Sequence, residues 1–240
     1  EIYRCDWSSD VCSSDLPAHW WPPGVLHAPA AALAQAVELA PSQVWRTLRF
    51  WLLWLAFGSV VSGGLMAIGT LPAYALSIGL DSAQAALAIS VFAAFNGFGR
   101  PLAGLLADRH GVLPVMLITY AVQTAVLLGF PVLAQTLPGL YVGAALLGWG
   151  FAASLGLFPV LTSSCFGVRH LGTNYGLVFT AFGAGALAPL WASWVFDATG
   201  GWGPAFVVAG VLAALGLGLC VALRAALASM RRAARPAPSA

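Results

Sequence analysis

Residues 44–227 are divided into six apolar runs, each long enough to cross a bilayer, and the turns between them are short. A hydrocarbon core is about 30 Å thick and a helix rises about 1.5 Å per residue, so about twenty apolar residues span it. Lipid offers no partners to backbone N–H and C=O groups, so runs of this length must satisfy them internally, as helices. The runs fall at 44–78, 82–107, 112–134, 138–164, 171–198 and 203–227. Gly63, Gly64 and Pro72 are expected to bend the first. Only 8% of the residues are charged, against about 25% in soluble domains. That supply cannot clothe a core in a polar shell. The fold class required is an all-α membrane protein with six transmembrane helices, the bundle occupying 44–230.

The flanks read differently. Residues 1–16 hold four of the eight acidic side chains, Glu1, Asp6, Asp10 and Asp15, and repeat the pattern Ser-Ser-Asp. The segment lacks the basic start, apolar middle and small-residue cleavage site of a signal peptide. It resembles the translation of a sequencing adapter, so 1–16 is expected to be an assembly artefact joined to a gene truncated upstream. Residues 17–43 are rich in Pro and Ala and read as a cytoplasmic linker, with a short helix expected over 30–39. Residues 231–240 read as a disordered cytoplasmic tail. Four cysteines, Cys5, Cys12, Cys165 and Cys220, show no CxxC spacing; the last two read as small buried residues.

Arginine sets the orientation. Arg46 and Arg49 precede the first run, Arg109 follows the second, Arg169 follows the fourth, and Arg224, Arg231, Arg232 and Arg235 end the sixth. With six spans these all fall on one side, and the opposite turns carry none. The positive-inside bias places both ends in the cytoplasm of a multi-pass protein of the cell (inner) membrane.

Few polar side chains lie deep in the runs: Asn96, Arg100, Gln123, Thr124, Asn174 and Thr180. Arg100 is the costly one. A charged side chain at the centre of a membrane helix costs at least about 2.5–3.5 kcal/mol. Arg100 is eight residues, about 12 Å, from the turn at Asp108, and Asp81, Asp108 and Asp197 all lie at the ends of the runs, so no acid lies deep in them to pair with it. An anionic ligand is the natural partner. Asn96, four residues earlier, shares its helix face. Pro101 and the nearby glycines are expected to break the helix there, as at the midplane sites of transporters. Gly139-x3-Gly143 and Gly172-x3-Gly176 are small-residue pairs suited to close helix packing.

Gly104-x3-Asp108-Arg109-x-Gly111 is a turn with a different role. Gly104 permits close helix approach, Asp108 can accept hydrogen bonds from a neighbouring helix N-terminus, and Gly111 permits the reversal. It reads as a conformational latch.

This pattern resembles the signature loop of the major facilitator superfamily, with Val112 and Leu113 where basic residues usually continue it. Six spans with both ends inside resemble one half of that twelve-span fold. The ordered motifs Phe50-Trp51-Leu52-Leu53-Trp54-Leu55, Asn96-Gly97-Phe98-Gly99-Arg100, Asn174-Tyr175-Gly176 and Phe196-Asp197-Ala198-Thr199-Gly200 are similar to the C-terminal half of the oxalate/formate antiporter family. The resemblance implies that the spans are helices seven to twelve and that an N-terminal six-helix half is a missing partner. It implies that Arg100 binds a substrate carboxylate and that Trp149 walls the site. Where oxalate carriers have a lysine, in Thr-Ala-Lys-Gly, this chain has Phe182, in Thr180-Ala181-Phe182-Gly183. The monocarboxylate porters are the second resemblance: their D-x3-R-P stands here as Asn96-x3-Arg100-Pro101.

The reading is a secondary transporter for small organic anions, mono- or dicarboxylates, working by alternating access within the lipid bilayer. One cation suits a monoanion better than a dianion. A non-transporting membrane scaffold is the alternative of another class. An enzyme is not expected, since HExxH, paired intramembrane aspartates and a Ser/His pair are all missing. No cofactor, metal or nucleic acid is expected as a partner.

Overall fold

A computed structural model describes residues 38–233, with side chains through 228. The expectations for 1–37 and 234–240 lie outside the described residues. After one helical turn, α1 (Pro41–Val44), the elements are α2 (Leu48–Ser77), α3 (Ser82–His110), α4 (Val112–Leu133), α5 (Leu137–Phe166), α6 (Leu171–Gly185), α7 (Ala188–Thr199) and α8 (Gly203–Ala233). Six spans result, with α6 and α7 together forming the fifth.

Local chemistry sets the helix starts. The Thr47 side chain accepts from the Phe50 N–H and opens α2. Asp81 and Gln84 form a reciprocal capping box on α3: the Gln84 N–H donates to Asp81 Oδ1 at 2.8 Å, and the Asp81 N–H donates to Gln84 Oε1 at 3.1 Å. Thr136 caps α5. At Gly111 φ is +89°, a conformation in which a Cβ is strained; this glycine closes α3 and opens α4.

Burial identifies α2 and α5 as the inner helices; more than half of the most apolar stretch of each is buried. The polar exceptions in the core are paired within the chain. Gln123 is fully buried and its Nε2 donates to the Val60 carbonyl at 3.0 Å. At one end Phe130 stacks on Phe206 at 4.1 Å and Tyr74 meets both edge-on. At the other end the approach to α2 is fastened to the α5–α6 turn. The Leu39 N–H donates to the Phe166 carbonyl, Arg49 Nη1 donates to the Cys165 carbonyl at 2.8 Å, and Asn174 Nδ2 donates to the Leu39 carbonyl. The Glu38 carboxylate accepts from the Val168 and Arg169 N–H groups at 3.2 and 3.0 Å.

The seam between α3 and α5 positions the functional face. The two helices run parallel. Phe92 lies beside Gly148, Gly99 beside Ala152, and Arg100 beside Gly156. Gly148 is required by approach: any Cβ there would collide with the Phe92 carbonyl oxygen.

Several expectations are corrected. α3 is unbroken through Arg100 and Pro101; the proline removes one donor, while packing on α5 holds the helix on both sides of it. The break lies in the fifth span, at 186–187. There Pro189 cannot donate back to Gly185, and two glycines lower helix propensity. Gly185 is also held against α2, where a Cβ would lie 3.3 Å from the Ser62 nitrogen. α2 is likewise unbroken; Gly63 and Gly64 serve contacts instead, with Leu127 and Phe151 over them. Residues 38–40 are not helical, the first span starts at Leu48, and 231–233, expected in the tail, continue α8, as their Arg and Ala propensities favour. Of the two small-residue pairs, Gly143 packs on the Phe130 ring, whereas Gly172 and Gly176 face open space.

Candidate substrate-binding face and signature turn

Arg100 is exposed on the side of α3 next to the α5 seam. Among the described residues it has no hydrogen bond or ion pair; its one recorded interaction is electrostatic, with Tyr175 of α6. Arg100 therefore lies in the second of the six spans, beside Gly156 of α5 and without an acid, and its charge reaches Tyr175 of α6. Asn96 sits one turn earlier and is half-buried; its Oδ1 is enclosed with no hydrogen bond. An amide there can donate through Nδ2 to a bound carboxylate and hold a water or acid proton on Oδ1.

The face continues along α6 as rings. Tyr175 meets Phe179 at 5.6 Å, Phe179 stacks on Phe182 at 5.0 Å, and Phe182 meets Phe151 of α5 at 6.5 Å. Phe182 is thus joined by rings to Tyr175, and through Phe151 to α5, the helix on which Arg100 packs. Beside them Trp54 Nε1 of α2 donates to the Thr180 hydroxyl at 2.8 Å. Sequence reasoning singled out neither Tyr175, Phe179 nor Trp54 as a site residue. The spacing 175, 179, 182 was a legible signal, because it places three rings on one helical face.

Trp149 is not brought to this face. Its indole packs beside Gly99, and it lines a cavity of about 300 Å³ with Leu106, His110, Pro114, Val115 and Ile118, between α3, α4 and α5. Arg100 is absent from that lining. Gly99 and Arg100 are adjacent, yet a helix turns about 100° per residue, so their neighbours diverge.

In the signature turn the Gly111 N–H donates to the Ala107 carbonyl at 2.8 Å. Asp108, Arg109 and Gly111 are exposed. Among the described residues Asp108 receives no hydrogen bond, and the start of α4 has no side-chain cap. Nor does any atom of the neighbouring helices lie within 4 Å of a Cβ built on Gly104, or on Gly97. The helix wheel puts 97, 100, 104 and 108 along one flank of α3, and that flank is open at Gly97 and Gly104 among the described residues.

The profile of the Major Facilitator Superfamily matches residues 27–239. The chain belongs to the major facilitator superfamily. Its six spans fit half of that superfamily's fold. The chain is similar to the oxalate:formate antiporter of Oxalobacter formigenes, 30% identical over 178 residues, covering 70% of this chain and 41% of the antiporter. It is 31% identical over 146 residues to the uncharacterized MFS-type transporter YhjX of Escherichia coli, covering 59% of the chain and 36% of YhjX. It is 32% identical over 130 residues to human monocarboxylate transporter 14, covering 53% and 25%. The chain spans about two-fifths or less of the length of these relatives. As a member of a transporter superfamily it is a multi-pass membrane protein and not an enzyme.

Proposed function

We propose that this chain is the C-terminal six-helix half, helices seven to twelve, of a secondary carrier for small organic anions. The observation that carries the reading is the Arg100 guanidinium, deep in a membrane-spanning helix, exposed and without an ion pair or hydrogen bond among the described residues. A charge held there without an acid is costly, and a carboxylate accepted in a bidentate, charge-assisted contact offsets that cost. Asn96 orients the carboxylate. The names of two relatives, an oxalate:formate antiporter and a monocarboxylate transporter, support an organic anion as cargo.

The open flank at Gly97, Gly104 and Asp108 would meet the partner six-helix half, and the Asp108–Gly111 turn would act as the latch between alternating states. The arginines at the ends of α3, α5 and α8 favour cytoplasmic termini in the cell membrane. The test is radiolabelled oxalate, formate, acetate and benzoate uptake by the transporter that carries this chain. Arg100→Ala abolishes uptake of every anion at unchanged protein level. Wild-type uptake by that variant would refute the assignment.

A further inference from the structure

We infer that the preferred cargo is an aromatic monocarboxylate, its carboxylate on Arg100 and its ring on the aromatic face of α6; the inference rests on the carrier reading above. Away from Arg100 the face offers rings rather than charge. Tyr175, Phe179 and Phe182 follow one another along α6 at 5.6 and 5.0 Å between ring centroids. From 175 to 182 is seven residue steps, a rise of about 10 Å, which leaves room for a ring beyond the carboxylate.

The surface is presented and supported. Phe179 is 38% exposed, a large share for a phenylalanine with three ring neighbours. Behind it lies Phe57 at 5.8 Å, fully buried, and behind that Phe158 at 4.3 Å, also fully buried. Phe182 is backed by Phe151, 4% exposed. Buried rings fix the outer two, so a flat ligand meets a preorganised wall without first ordering it.

Charge argues the same way. Phe182 gives the outer end of this face no cation, and among the described residues no other basic side chain interacts with Tyr175, Phe179 or Phe182. A second carboxylate at the Phe182 end would be desolvated against rings with no counter-charge, which is strongly unfavourable. A formate-sized anion would satisfy Arg100 and leave the wall unused. An aryl acid uses both, since offset or edge-on ring contacts add to apolar burial.

The experiment is uptake of radiolabelled benzoate into proteoliposomes holding the transporter that carries this chain, competed with 3-phenylpropionate, formate and oxalate. The aryl acid is expected to compete at roughly tenfold lower concentration than formate or oxalate. Phe179→Ala should lower benzoate affinity about fivefold, and Phe179→Leu less, with formate competition unchanged. Phe182→Lys should shift the preference toward oxalate. If oxalate or formate competes as well as the aryl acids while Arg100→Ala stops all uptake, the aromatic inference is overturned and the carrier reading stands. If no carboxylate is taken up, or Arg100→Ala transports as wild type, both are overturned. The competition order in the unmodified protein decides the matter even if a variant fails to fold.

Discussion

Gly148→Ala is the sharpest perturbation of the seam that carries Arg100. The added Cβ would fall on the Phe92 carbonyl oxygen, a backbone atom with no rotamer to escape into. Restoring an ordinary contact requires α3 and α5 to part by about 1 Å, and a gap of that size forfeits up to half the attraction of each facing pair, itself about 0.1–0.2 kcal/mol. Over some tens of pairs along the seam the loss is about 2–3 kcal/mol, within the range for overpacked cores. Alanine returns about 0.5–1 kcal/mol through helix propensity. The net cost is about 1–2 kcal/mol, a fall of roughly 3–8 °C in Tm for a protein of this size. Gly99→Ala should cost less, because its Cβ would lie 2.7 Å from the Ala152 methyl, a smaller overlap than the one at Gly148, although that methyl is also fixed to its backbone. Gly97→Ala should be neutral or slightly stabilising, since nothing lies within 4 Å of its Cβ. Thermal melts of the detergent-solubilised protein, read by size-exclusion chromatography, rank the three. If Gly148→Ala and Gly97→Ala melt together, the close approach of α3 and α5 is wrong.

Two further positions probe the scaffold. Glu38→Gln weakens the clamp on the Val168 and Arg169 N–H groups; the site is exposed, so the global loss stays below about 1 kcal/mol, but hydrogen exchange at those two amides should rise roughly threefold or more. Unchanged exchange would show that the clamp does not hold in solution. Gln123→Met removes the bond to Val60 and an Oε1 that has no hydrogen bond; the change should stay within about 1 kcal/mol, whereas Gln123→Ala opens a cavity and costs about 2 kcal/mol or more. Urea or thermal unfolding of the pair separates packing from hydrogen bonding.

Hydropathy alone determined the six spans, because lipid forces every long apolar run to close its own backbone bonds. The isolation of Arg100 was legible too, since it needs only the observation that Asp81, Asp108 and Asp197 all lie at the ends of the runs. The caps at Asp81 with Gln84 and at Thr136, which open α3 and α5, emerged from the structure. Tertiary structure decided which neighbours each residue meets. Pro101 had the signature of a break, but α5 lies along it and α3 passes through; Pro189 makes the break instead, beside a glycine pinned to α2. Gly104 and Gly148 look alike in sequence, yet one faces open space and the other a carbonyl oxygen. The resemblance set Trp149 and Phe182 at one site; packing decided that the Trp149 indole lies beside Gly99 and that Phe182 stacks in the row of rings on α6. The physical reason is that transfer from water to lipid is a property of each segment by itself, whereas helix rotation and contact are settled only by the pairs of helices that meet.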